Sequence, residues 1–146
     1  MLYNKPMKYH KDKTQYIVRL DKGELLIEQL NRLIKKEQIA SAWVNGLGGA
    51  AWAELGFYDL EKQEYHWKRF DELMEITSLQ GNIAVDEAGQ TAIHLHGSFA
   101  RSDMSGIGGH VKDLAVGGTC ELRISIMSAV LVRRRNAEVG LNLLDV

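Results

Sequence analysis

The sequence predicts an α+β fold in which one early helix accompanies many, mostly antiparallel, strands. Three observations carry the prediction. Leucines recur at helical spacing over residues 24–37, apolar and polar residues alternate in short runs from Ile39 onward, and polar loops of four or five residues separate several of those runs. Helical periodicity gives way to a period of two, and short loops favour hairpins over crossovers.

Taken in order, residues 1–13 are polar and basic and read as a loose lead-in to a single domain over residues 14–146. Gln15-Tyr-Ile-Val-Arg-Leu20 alternates and is β-rich, so it reads as a strand, and Asp21-Lys-Gly23 as a turn. Glu24 to Glu37 carries Leu26, Leu30, Leu33 and Ile34 on one face, with acids early and Lys35-Lys36 late. That polarity suits the helix dipole. Strands are expected over 39–44, 50–58, 64–70, 73–79, 82–85, 91–99 and 120–127, with a last one between Ala137 and Leu144. Asn45-Gly-Leu-Gly-Gly49 is expected to close the first of these. Asp59-Leu-Glu-Lys-Gln63 and Asp86-Glu-Ala-Gly89 are expected hairpin loops.

Bulk properties narrow the function classes. A chain of 146 residues with 45% hydrophobic and 25% charged residues is an ordinary globular domain rather than a disordered one. A net charge of −1 argues against a domain that grips DNA through its phosphates. No apolar run nears the roughly 20 residues needed to span a bilayer, and the first residues lack the apolar core of a signal peptide, so no membrane partner is expected. The lone Cys120 cannot form an intrachain disulfide, and cytoplasm is the expected compartment.

The chemistry-bearing feature is a set of three histidines. His94 and His96 lie one residue apart on an expected strand, which puts both rings on one face while Leu95 points to the other. His110 follows Gly106-Ile-Gly-Gly109, whose glycines are expected to turn the chain and bring it back over that strand. Three imidazoles with a fourth position open form a catalytic or ligand-binding zinc arrangement. The plain alternative is a polar pair on a solvated face or a hydrogen-bonded cluster. A cupin would need a glutamate shortly after His96, where the chain reads Gly97-Ser-Phe-Ala-Arg101, so that family is set aside.

The order Arg19-Leu-Asp-Lys-Gly-Glu24, Gly46-Leu-Gly48, Gly56-Phe-Tyr-Asp59, Glu75-Ile-Thr-Ser-Leu-Gln-Gly-Asn82, His94-Leu-His96, Gly108-Gly-His110 and Thr119-Cys-Glu121 resembles the plants and prokaryotes conserved (PPC) domain over residues 14 to 144. The resemblance implies a largely antiparallel sheet of about seven strands flanked by one or more helices, and a homotrimeric assembly. It also implies a divalent metal, zinc by the softness of its ligands, on His94, His96 and His110. Plant members join the domain to AT-hooks and act in transcription, which makes DNA a possible partner. The Arg-Gly-Arg-Pro core of an AT-hook is missing here, and the one dense basic run is Arg133-Arg-Arg135.

The remaining candidates have structural readings beside the functional ones. Arg19, Glu75 and Glu121 fall in the matching motifs and are expected beside the metal ligands or in subunit contacts. Glu75 or Glu121 could serve as a base near a metal-bound water, but charged groups on strands more often pair with other charges. Glycines 46–49 and 106–109 lack the following helix of a nucleotide cradle, so close backbone approach is their simpler role. Cys120 reads as core, the tryptophans as packing, and Arg133-Arg-Arg135 as a solvated loop. His10 and His66 receive no role. Two function classes stay open: a metal-binding assembly module with a regulatory or DNA-associated role, and a metal-dependent enzyme acting on a small-molecule ligand.

Overall fold

A computed structural model describes residues 6–146; residues 1–5 of the expected lead-in lie outside the described residues. The chain runs β1 (Lys8–Asp12), β2 (Gln15–Asp21), α1 (Leu26–Glu37), β3 (Ala42–Asp59), β4 (Glu64–Phe70), β5 (Met74–Asp86), β6 (Thr91–Ala100), β7 (Gly106–Ile126), β8 (Val132–Asn136) and β9 (Leu141–Leu144). All nine strands join one sheet, antiparallel except where β5 meets β8. The described residues thus contain more strand than an α+β fold with several flanking helices would, and a single helix.

Two strands dominate. β3 spans 18 residues where two strands, 39–44 and 50–58, are expected, and β7 spans 21 where a strand is expected only over 120–127. Asn45 to Gly49 does not close a strand. It stays in β3 through a register shift at Gly46/Gly48. Gly48 has φ +150°, and a Cβ there would sit 2.2 Å from the Thr119 carbonyl oxygen. The glycines let β3 and β7 approach closely instead of reversing the chain. The two long strands also close the sheet on itself: β3 pairs β5, β5 pairs β6, β6 pairs β7, and β7 returns to β3. Such closure leaves no free edge along those strands.

α1 packs one face on the core through Leu26, Leu30, Leu33 and Ile34, against Leu20, Val44, Leu114 and Leu122. Leu25 at its N-terminus has no capping side chain. The Asp113 carboxylate on β7 instead accepts from the Ile27 N–H at 3.1 Å. At the other end Gln38 is left-handed and Ile39 N–H donates to the Ile34 carbonyl, so the next strand begins at Ala42 and not at Ile39. The lead-in segment holds β1 because Glu37 ties it down: its carboxylate accepts from Tyr9 Oη at 2.5 Å, Lys11 Nζ at 3.0 Å and Tyr16 Oη at 2.9 Å. Cys120 is fully buried in the core. Among the described residues no helix is long and apolar enough to cross a membrane.

Candidate metal centre

The histidines lie on the outer side of the sheet. Along β6, Leu95, Gly97 and Phe99 point into the core, so His94 and His96 point away from it; on β7, Val111 points inward and His110 outward. The tight turn that returns the chain is not the glycine segment. It lies at residues 101–105, where Met104 N–H donates to the Arg101 carbonyl and Arg101 N–H to that of Ser105. Gly106 to Gly109 is extended and paired with β6, which sets His110 directly opposite His96. A Cβ at Gly108 would lie 2.7 Å from the Gly97 carbonyl oxygen, so close approach is again the reason for glycine.

One ligand atom from each of the three imidazoles falls within 4.8 Å of the others. Ring centroids are separated by 5.1 Å (His94–His96), 5.2 Å (His94–His110) and 5.6 Å (His96–His110), a nearly equilateral triangle. His94 Nε2 and His96 Nε2 are 3.2 Å apart. Zinc–nitrogen bonds of about 2.0–2.1 Å put neighbouring donors roughly 3.4 Å apart in a tetrahedron, so this edge is already of the right length. Burial, with Arg133, His110 and His96 nearby, lowers the His94 pKa to about 4. Burial, with His96 and Arg133, lowers that of His110 to about 4 as well. Both rings are therefore neutral near pH 7, the state a metal requires. The residues fit a divalent ion.

Partners around the triangle set the rings. Tyr65 Oη lies 3.4 Å from His110 Nδ1, and the Tyr65 ring sits 4.9 Å from the imidazole, centroid to centroid. An Nδ1–H directed at that oxygen leaves Nε2 free for an ion. On the other side Arg133 Nη2 donates to His94 Nδ1 at 3.0 Å and to Asn82 Oδ1 at 2.8 Å, and Nη1 donates to the Asn142 carbonyl at 2.9 Å. A guanidinium cannot accept, so His94 Nδ1 carries its lone pair toward Arg133 and its proton on Nε2. For His94 to hold an ion through Nε2, its proton would have to sit on Nδ1 and the Arg133 N–H would have to turn away. A cavity of about 220 Å³ opens beside these groups, lined by Tyr65, His94, His110, Arg133, Asn142 and Leu143 among others.

The arginine run does not form a solvated loop. It lies on β8, with Arg133 buried, Arg134 paired with Asp145 and Glu87, and Arg135 donating to the Gly140 carbonyl. Sequence reasoning singled out neither Arg133 nor Tyr65 for this site. Val132–Asn136 has no apolar–polar alternation to read, so only the pairing with β5 shows that Arg133 faces inward.

Arg19, Glu75 and Glu121 do not join the histidines. Arg19 sits opposite Glu121 across β2 and β7 and pairs with Asp21 at 3.3 Å. Glu121 pairs in turn with Leu47 on β3. Glu75 lies opposite Gly49 and Ala100, at the far end of the β5–β6 ladder from His94. All three are exposed. His66 contacts Asp59 at 3.5 Å.

A family model for the Plants and Prokaryotes Conserved (PCC) domain matches residues 7–128. None of the curated proteins compared with the chain matches it. Among solved structures, one described as a "putative dna binding protein" from Bacteroides thetaiotaomicron is 32% identical with TM-score 0.91, covering 95% of this chain and 96% of that one. A "metal-containing protein" from Archaeoglobus fulgidus is 29% identical with TM-score 0.83, covering 96% and 98%. A plant- and prokaryote-conserved (PPC) protein from Pyrococcus horikoshii is 25% identical with TM-score 0.82, covering 99% and 97%.

Proposed function

We propose that this chain, which belongs to the Plants and Prokaryotes Conserved domain family, is a cytoplasmic metal-binding homotrimer. In this reading one divalent ion, zinc by the nature of its ligands, sits on His94, His96 and His110 and faces a small-molecule cavity. The observation that carries it is the convergence of three imidazole donors within 4.8 Å on two paired strands. The metal-containing relative from Archaeoglobus supports it. A divalent ion on three imidazoles keeps a coordination position open and acts there as a Lewis acid. The chain's own part is to hold His94 and His110 neutral, orient His110 through Tyr65 and shape the cavity beside them. Elemental analysis of the purified protein tests it, with one zinc per chain expected and a His96→Ala variant expected to lose it. Stoichiometric zinc in that variant overturns the ligand set.

Support for the trimer comes from the opposite region of the sheet. Ile17 on β2 and Trp43 and Leu47 on β3 are exposed on either side of β7, and Ile17 and Leu47 line a groove of about 380 Å³ together with Glu121 and Arg123 of β7. Apolar side chains interleaved with charges of both signs suit an interface between copies. Arg19 and Glu121 are then subunit contacts.

Association with DNA is the second reading, favoured by the description of the Bacteroides relative. Against it stand the net charge of −1 and an arginine run whose members bond within the chain. Filter binding at physiological salt separates the two, and affinity no tighter than non-specific removes DNA.

A further inference from the structure

The charge around Arg133 does not balance. Its side chain is 9% exposed, and its three hydrogen bonds go to neutral acceptors on Asn142, Asn82 and His94, while Nε has no partner. No carboxylate pairs with it among the described residues, although Arg134 next door has two. Buried charges are ordinarily kept where a counter-charge meets them. The adjoining cavity holds no acid in its lining either. A divalent ion on the histidines would add positive charge to the same wall and release the Arg133 N–H now held by His94.

We infer that the cavity between Tyr65, His94, His110 and Arg133 binds a small-molecule carboxylate, with Arg133 as its charge partner. The inference deepens the metal-centre reading and rests on it for the second anchor, the open coordination position. Size and donors select the class. About 220 Å³ suits a molecule of a few carbons. The flat guanidinium matches the two oxygens of a planar carboxylate, and phosphate, which a guanidinium also grips, is the competitor the titration separates. Leu141 and Leu143 in the lining provide an apolar wall for the rest of such a ligand.

Calorimetric titration of the zinc-loaded full chain with propionate, propionamide and inorganic phosphate tests this. Propionate should bind at least 10-fold tighter than propionamide, which has its shape without its charge. The Arg133→Gln variant, compared at equal zinc content by elemental analysis, should lose that preference, and Arg133→Lys should retain part of it. Equal binding of propionate and propionamide by the wild-type chain overturns the inference, as does tighter binding of phosphate. An Arg133→Gln variant that folds and binds propionate unchanged overturns it too. Should Arg133→Gln fail to fold, the wild-type comparison and Arg133→Lys decide alone. Should the wild-type chain take up no zinc, the metal reading falls by itself. An Arg133-dependent preference for propionate in the metal-free chain still upholds the carboxylate site, and its absence there overturns it.

Discussion

His96 and His110 occupy directly opposed positions on β6 and β7, so a backbone ladder and not a loop holds one side of the histidine triangle. Strand registers are stiff, because a slip by one residue would send His110 to the core face. The backbone positions of the histidines are therefore set before any ion arrives.

Tyr65→Phe removes the hydroxyl beside His110 Nδ1 but keeps the ring that packs on the imidazole. Zinc affinity is expected to fall by about 10-fold, the low end for losing an outer partner of a ligating histidine. Competition with a chromophoric chelator measures it, and unchanged affinity would show that Tyr65 does not orient the ligand.

In the metal-free protein, acid should weaken the fold before the carboxylates titrate. His94 and His110 have pKa values lowered from 6.5 to about 4 in the folded chain. Between those values the unfolded chain binds more protons than the native one, so stability drops as pH falls from 6.5 to 4 and levels below that. With solvent screening of these half-exposed rings allowed for, the loss is of the order of 2 kcal/mol per imidazole. Urea denaturation at pH 7.5 and 4.5 reads it directly, and bound zinc should enlarge the difference because protons then also compete with the metal.

Gly81→Ala should be severe. A Cβ at residue 81 would lie 1.8 Å from the His94 carbonyl oxygen and 2.8 Å from its carbonyl carbon, both backbone atoms. Separating β5 from β6 there is expected to cost roughly 3 kcal/mol or more and to displace His94. A thermal melt with a zinc assay checks both. A stable variant that binds metal normally would mean that the two strands can spread at no cost.

Leu47→Glu places a charge in the exposed apolar region shared with Ile17 and Trp43. Light scattering should report three chains for the wild-type protein and one for the variant, with zinc content unchanged. A trimeric variant moves the interface elsewhere on the surface.

The parts of the site legible in the sequence were those that depend on one strand. His94 and His96 share a face because residues two apart always do, and Leu95 between them is buried as alternation demands. The glycine segments were harder, since glycine serves both turns and close approach. Only the β3–β7 and β6–β7 pairings show that 46–49 and 106–109 run straight. Arg133 was invisible for the same reason at longer range. Which member of the arginine run faces a histidine and not water depends on β8 pairing parallel to β5, a contact between residues nearly 50 positions apart. β1 was missed because its strand character comes from Glu37 on the helix and not from its own polar residues.

That parallel ladder is only two residue pairs long, Val85 with Val132 and Asp86 with Arg133. The hairpin bearing Arg133 is fastened far more lightly than the strands bearing the histidines, and lightly fastened segments open on their own, long before the molecule unfolds. Deuterium should therefore enter the amides of Val132–Asn136 and Leu141–Leu144 well ahead of those in β3 and β7. An ion on the histidines and a ligand in the cavity would then keep different clocks: a slow one set by the closed sheet and a fast one set by the hairpin.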